Sequence, residues 1–267
     1  GNGWKVSGSV RESSQIPKLR EEGMNAFVFD SQEGDQGISE LPLSDATHVL
    51  STVPPGLDGD PISDLVKTCR HISWIGYLST TGVYGNTDGK VVDETSPINP
   101  SSPRSKRRAD AESKWRALFA QDALPVHTFR LPGIYGPGRS VFESYQDNRL
   151  RRVEKPGHVF NRIHVDDIVQ ALEASMNKPN PGAVYNVCDD LPIEPSEVAT
   201  YAYELMEIKP PAHIPFEELV KTMSPMALTF WQDNRCVSNE RMKSELGITL
   251  RYPDYKSGLK AIFKLLR

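Results

Sequence analysis

Thr80 and Tyr84 stand four residues apart in Tyr77-Leu78-Ser79-Thr80-Thr81-Gly82-Val83-Tyr84-Gly85, where an apolar strand runs out into a glycine-bearing loop. Thr80 is placed there for a ligand contact. A phenol just past a strand end, such as Tyr84, can pass a proton if its pKa and reach allow. Tyr135, in Leu131-Pro132-Gly133-Ile134-Tyr135-Gly136, is a second and weaker candidate of the same kind. Arg104 and Arg108 follow one helical turn apart in Ser102-Pro103-Arg104-Ser105-Lys106-Arg107-Arg108, ahead of Glu112. A guanidinium stays protonated at any working pH, so neither arginine can serve as acid or base. Either can take an anionic group in a bidentate grip, and both also suit a solvated helix face.

Residues of this kind need strand ends to bring them together, and the chain supplies strands alternating with helices. Trp4 to Val10 alternates as a strand, and Ser13, Ser14 and Pro17 open a helix that ends at Gly23. Asn25 to Phe29, His48 to Thr52 and Ser73 to Leu78 read as further strands. Asp60 caps a helix whose Ile62, Leu65, Val66 and Cys69 share one face. A long helix through Trp115, Leu118 and Phe119 precedes a strand at Val126 to Phe129. Later come a helix capped by Asp166 and reaching Met176, a core strand at Ala183 to Val187, and a helix at Pro195 to Glu207. This alternation predicts an α/β fold with a parallel doubly wound sheet.

The remaining sequence properties narrow the function classes. A length of 267 residues allows a substantial core, and a formal charge of -4 gives no reason to expect nucleic acid or an anionic membrane as partner. No apolar run approaches the roughly 20 residues of a membrane-spanning helix. Cys69, Cys188 and Cys236 are odd in number and lack metal-ligand spacing, so neither a disulfide framework nor a metal site is expected. The expected location is the cytoplasm or another reducing compartment such as an organelle stroma. The sequence opens at Gly1 without Met or a signal peptide, so a start produced by processing or trimming is expected.

In order and type these motifs resemble the extended short-chain dehydrogenase/reductase family, in the group of NAD-dependent epimerases and dehydratases. Thr80 falls at that family's Ser/Thr position. The segment from Arg130 to Arg139 and the element Phe160-Asn161-Arg162-Ile163-His164-Val165-Asp166-Asp167 resemble family segments, and the stretch from Arg235 to Leu246-Gly247 resembles the family's closing Lys/Arg-rich helix and Leu-Gly turn. The departure is at the helix, where the family has Ser-Pro-Tyr-x-x-x-Lys-x-x-x-Glu and this chain has Arg104 for the Tyr and Arg108 for the Lys. The resemblance implies a Rossmann-like sheet with a small C-terminal α/β substrate lobe. The whole chain forms one family-type domain, with residues 1–135 mainly nucleotide-binding and 136–267 mixing core strands with the lobe.

The resemblance further implies roles for single residues. Thr80, Tyr84 and Arg108 become catalytic candidates, and Arg104, Tyr135 and Arg139 substrate-binding candidates. The cofactor contacts fall on Arg11, Asp30, Thr52, Val53, Pro54, Arg108 and Pro132. An Arg rather than an acidic residue at the end of the second family strand favours NADP over NAD, and His164 reads as structural. No Gly-x-Gly-x-x-Gly occurs in the sequence. Trp4 to Val10 therefore matches the family's second strand, and a first strand, glycine loop and helix of roughly 20 to 25 residues are expected to be missing. The slot between Trp4–Val10 and His48–Thr52 should then be empty or filled by an unexpected segment. The expected activity is NADP-linked oxidoreduction or epimerisation of a small polar metabolite. A non-catalytic dinucleotide sensor or scaffold is the alternative, and a homodimer is an allowed assembly.

Overall fold

The fold is described by a computed structural model over residues 3–30 and 43–267. Strand β1 (Ser7–Val10) leads through a short 3-10 turn into α1 (Ile16–Glu21), which Pro17 starts and Gly23 ends at a positive φ. β2 (Asn25–Val28) and β3 (His48–Ser51) follow, then α2 (Ser63–Val66), where the N–H groups of Ile62, just before the helix, and Ser63 donate to Asp60 Oδ1 at 3.0 and 2.9 Å. β4 (Trp74–Thr80) ends in a 3-10 turn over Thr81–Tyr84, and β5 (Val91–Val92) precedes the 20-residue α3 (Pro103–Asp122). Ser102 caps α3 by accepting from the Ser105 N–H at 3.1 Å, with Pro103 at the first helical position where its missing N–H costs nothing.

β6 (Val126–Leu131) and β7 (Gly133–Tyr135) are separated only by Pro132. The second half continues through α4 (Val141–Gln146), β8 (Val153–Glu154), β9 (Arg162–His164), α5 (Val165–Asn177), β10 (Val184–Asn186) and α6 (Pro195–Leu205). It closes with β11 (Ile214–Pro215), α7 (Phe216–Leu219), α8 (Pro225–Gln232), β12 (Cys236–Val237), α9 (Glu240–Leu246) and α10 (Tyr255–Leu265).

The central sheet runs β10-β6-β4-β3, all parallel, with β4 and β6 in register from Ile75↔Val126 to Thr80↔Leu131. β1 and β2 form a separate parallel pair, Ser7↔Asn25 to Val10↔Val28. Among the described residues no strand stands between β1 and β3, which is the slot expected from the sequence. Two side chains span it. Trp4 meets His48 edge-on with ring centroids 4.6 Å apart, and Phe29 is buried in the cluster that Ile62, Val66, Ile75 and Trp115 form on the α2/α3 face. The other face buries Trp74, Phe129, Ile163, Leu172 and Tyr185 under α5 and α9.

Two helix boundaries differ from expectation. Asp166 lies inside the first turn of α5, and the cap is His164, whose Nδ1 accepts from the Asp166 N–H at 3.1 Å. The Arg235 to Leu246 stretch is not one helix: β12 pairs with β5 before α9 begins at Glu240, because the Arg235–Asn239 segment is tied to the loop around residues 85–92. The small parallel pairs β11–β8, β12–β5 and β7–β9 are too short for an alternation pattern to register.

Candidate functional site

The C-terminal ends of β1, β3, β4 and β6 are where a sheet of this topology offers a crevice. Between the ends of β1 and β3 lies a cavity of about 240 Å³, lined by Ser9, Val10, Arg11, Phe29, Thr52, Val53 and Pro54. Arg11 and Thr52 are exposed at its mouth, and Asp30 is half-buried just past β2. Four of the seven expected cofactor contacts thus share one cavity wall.

One strand further on, Thr80 faces Leu131 across the β4–β6 ladder, so Thr80 and Pro132 occupy neighbouring strand ends. Thr80 Oγ1 accepts from the Gly82 N–H at 3.1 Å, which caps the 3-10 turn and leaves the residue half-exposed. Arg108 reaches in from α3. Its Nη1 donates to Tyr77 Oη and Leu78 O, both at 3.0 Å, and to Val53 O at 3.4 Å, which ties the ends of β3 and β4 together. Burial pushes the Tyr77 phenol up despite the opposing Arg108 charge. Arg104 is exposed with no ion pair among the described residues, and Arg139 is exposed on the turn after β7.

Tyr84 lies beneath the crevice floor, 1% exposed. Its hydroxyl donates to Asn186 Oδ1 and accepts from Arg130 Nη1, each at 2.8 Å. Arg130 is held by Glu112 through Nη2 at 2.8 Å and Nε at 3.1 Å, both side chains 1% exposed, and Ser79 Oγ donates to the same carboxylate. The network continues through the Asn186 N–H, which donates to Glu94 Oε1 at 2.6 Å. Burial raises the Tyr84 pKa to about 12, with Arg130 and Asn186 opposing it in part. Burial also works against the Arg130 charge, but Glu112 and Tyr84 hold its pKa above the ordinary value. A phenol so placed has both hydroxyl positions committed to protein partners.

Tyr135 points away from these strand ends into the lobe. It is buried against α10, where a Cβ at Gly258 would collide with its hydroxyl, and its ring meets His164 at 5.2 Å. The structure therefore brings together Arg11, Thr52, Val53 and Pro54, and separately Thr80, Arg108 and Pro132. It keeps Tyr84, Tyr135, Arg104 and Arg139 out of both groups.

Sequence reasoning singled out neither Arg130 nor Ser79, Asn186 and Glu94. The available signal was a lone Arg in the apolar run Val126–Leu131 and the Glu that completes the α3 spacing. It also passed over Asp189, buried just past β10, whose Oδ2 has no hydrogen-bond partner among the described residues. Burial raises its pKa to about 7, with Arg162 opposing. An unfolded Asp titrates near about 3.9, so the raised folded value makes this group stabilising below that range and progressively less so as pH climbs through 7. Thermal midpoints between pH 5 and 8.5 should fall for the unaltered protein, and Asp189→Asn should flatten that fall. A parallel decline in both proteins would show that Asp189 is not its source.

The comparisons agree with this architecture. The profile of the NAD dependent epimerase/dehydratase family matches residues 62–188, from α2 to the end of the β10 segment. Protein YeeZ of Escherichia coli (strain K12) is 26% identical over 271 residues, covering 94% of this chain and 89% of that protein. The dTDP-D-glucose 4,6-dehydratase of Homo sapiens is 27% identical over 208 residues, but the match spans only 55% of its length. Among solved structures, a functionally unknown conserved protein from Silicibacter pomeroyi DSS superposes with a TM-score of 0.87 at 42% identity, covering 98% of this chain and 90% of the other. The dTDP-glucose 4,6-dehydratase of Bacillus anthracis str. Ames, in complex with NAD, shares the fold at a TM-score of 0.76 and 19% identity, covering 98% and 88%. With the sheet order, the strand-end motifs and these matches in agreement, the chain belongs to the extended short-chain dehydrogenase/reductase family, among the NAD-dependent epimerases and dehydratases.

Proposed function

We propose that this protein binds a dinucleotide, NADP in preference to NAD, and works as a binding or sensing member of its family rather than by tyrosine-assisted hydride transfer. The observation that carries the first half is the cavity between β1 and β3, with Arg11 at its mouth. Its residues suit the adenosine end: the Arg11 guanidinium for a 2'-phosphate, Ser9 and Thr52 for ribose oxygens, and Val53 and Pro54 for the base. The pyrophosphate end is a different matter, since no Gly-x-Gly-x-x-Gly is among the 267 residues.

The second half rests on Tyr84 and the two arginines. Arg104 and Arg108 cannot give up a proton, and the Tyr84 hydroxyl is fully engaged below the crevice. The rival reading, NADP-linked oxidoreduction or epimerisation of a small polar metabolite, draws on the adjacency of Thr80, Arg108 and Pro132 at three strand ends. Tyr84→Phe separates the two. As a structural phenol, its loss should leave NADP binding unchanged and reduce stability by about 1–3 kcal/mol, because Arg130 Nη1 and Asn186 Oδ1 lose a partner. NADP-dependent turnover of a nucleotide sugar that disappears in Tyr84→Phe would overturn the binding reading.

A further inference from the structure

Phe129 and Leu131 of β6 pack under α5 and α9, whereas Val126 packs on the α2/α3 side, so alternation along the strand turns Val126, Thr128 and Arg130 toward α3. Arg130 is met there by Glu112 at 2.8 Å, and Val126 by Trp115 and Leu118. Near Thr128, α3 presents only Ser113 and Ala117, with Ala120 almost one turn further on. These short side chains leave a cavity of about 480 Å³ between helix and sheet. Small-molecule sites fall in the range of about 300–1,000 Å³. Phe119 forms a further wall, its ring seated on Gly182, where a Cβ would collide with it.

Two polar groups of this cavity are left without protein partners. Thr128 is 1% exposed and lines the cavity floor; its N–H donates to Ala183 O at 3.0 Å, while its hydroxyl makes no hydrogen bond among the described residues. A nearly enclosed hydroxyl in that state costs free energy that a bound polar atom recovers. Arg116 stands at the open side, exposed and with no ion pair among the described residues, and the acid one turn before it, Glu112, is committed to Arg130. Ala117, Ala120 and Val126 supply the apolar walls between these two groups. The cavity is also set apart from the strand-end crevice. Val126 and Thr128 belong to the start of β6, whereas Pro132 follows its other end, and Ala117 lies about 13 Å past Arg108 along α3 at about 1.5 Å of rise per residue.

We propose that this cavity is a second ligand site, separate from the dinucleotide cavity, which takes a small aromatic carboxylic acid bearing a hydroxyl group. The order of groups from mouth to floor sets that chemistry. The Arg116 guanidinium receives the carboxylate in a charge-assisted contact, the ring lies against Phe119 and the two alanines, and the far hydroxyl pairs with Thr128. A ring suits Phe119, since paired aromatic side chains gain more than their buried area alone gives. The site stands whether or not the protein binds NADP.

The test is a calorimetric titration of the full chain with 4-hydroxybenzoate, benzoate and 4-hydroxybenzyl alcohol at matched ionic strength. Saturable binding of 4-hydroxybenzoate is expected, with the uncharged alcohol several-fold weaker. Arg116→Gln should weaken 4-hydroxybenzoate by about 10-fold, the share of a charge-assisted contact. Thr128→Val should weaken 4-hydroxybenzoate several-fold and leave benzoate unchanged, a split that a merely structural threonine would not give. Ala117→Leu fills the cavity from a helix position that leucine suits and should abolish binding; Ala120→Leu, at an exposed position, does the same if the first variant fails to fold. No saturable binding, or unchanged affinity in Arg116→Gln and the leucine variants, overturns the proposal. So does a self-associated protein that sedimentation shows to fall apart in Ala120→Leu, because the groove is then an interface between copies. NADP titrated alongside keeps the sites distinct: 4-hydroxybenzoate that binds equally with and without NADP supports a separate cavity, and mutual exclusion overturns it.

Discussion

Glu112→Ala is expected to lower the unfolding free energy by about 3–5 kcal/mol, because it leaves the Arg130 guanidinium buried without its counter-charge. For a chain of this size that is a fall of roughly 10 °C in the thermal midpoint. The change should also loosen the strand-end floor. Ser79 at the end of β4, Tyr84 in the turn after it and Asn186 at the end of β10 are joined through this ion pair. A double replacement, Glu112→Leu with Arg130→Met, should recover much of the loss, since two apolar side chains remove the uncompensated charge together. Denaturant melts of the three variants give the answer, and a Glu112→Ala protein as stable as the parent would mean that the pair contributes nothing net.

Much of the sheet could be read from the residues. The runs Asn25–Phe29, His48–Thr52 and Val126–Phe129 are rich in β-branched and aromatic side chains bounded by Pro, Asp or Gly, and each became a parallel strand. The pairing of Ser7–Val10 with Asn25–Val28 was legible too, from their alternation on either side of a short helix. The site was less so, for a physical reason. Position in a motif says which strand end a residue occupies, but not whether its side chain faces the crevice or the core beneath it. Tyr84 follows Thr80 by four residues and went under the floor because a buried Arg130 and Asn186 were there to satisfy its hydroxyl. Those partners come from strands some 46 and 102 residues away, a distance no local spacing encodes.

Arg11→Ala should remove most of the preference for NADP over NAD, since the 2'-phosphate would lose a charge-assisted partner at the cavity mouth. Such a contact is worth about 1.5–3 kcal/mol, or roughly a 10- to 100-fold loss in NADP affinity, with NAD affinity changed little. The measurement is a pair of calorimetric titrations at fixed salt, because exposed charges are screened on the scale of about 10 Å at 0.1 M. Equal affinities for the two dinucleotides in the unaltered protein would sink the idea. A selectivity that survives Arg11→Ala would move it to Ser9, Ser13 or Ser14.

The separation of the β1–β2 pair from β3 bears on cooperativity. No backbone ladder crosses between them among the described residues, so residues 3–30 are joined to the main sheet by side chains such as Phe29 and Trp4. Such a unit can open without the rest, and its amide protons should exchange through subglobal events of lower free energy than those of β4 and β6. Any ligand seated between Val10 and Val53 would touch both bodies at once. Its binding free energy would then be expressed as slowed exchange in β1 and β2, thermodynamic linkage that makes the occupant a brace for the fold as well as its cargo.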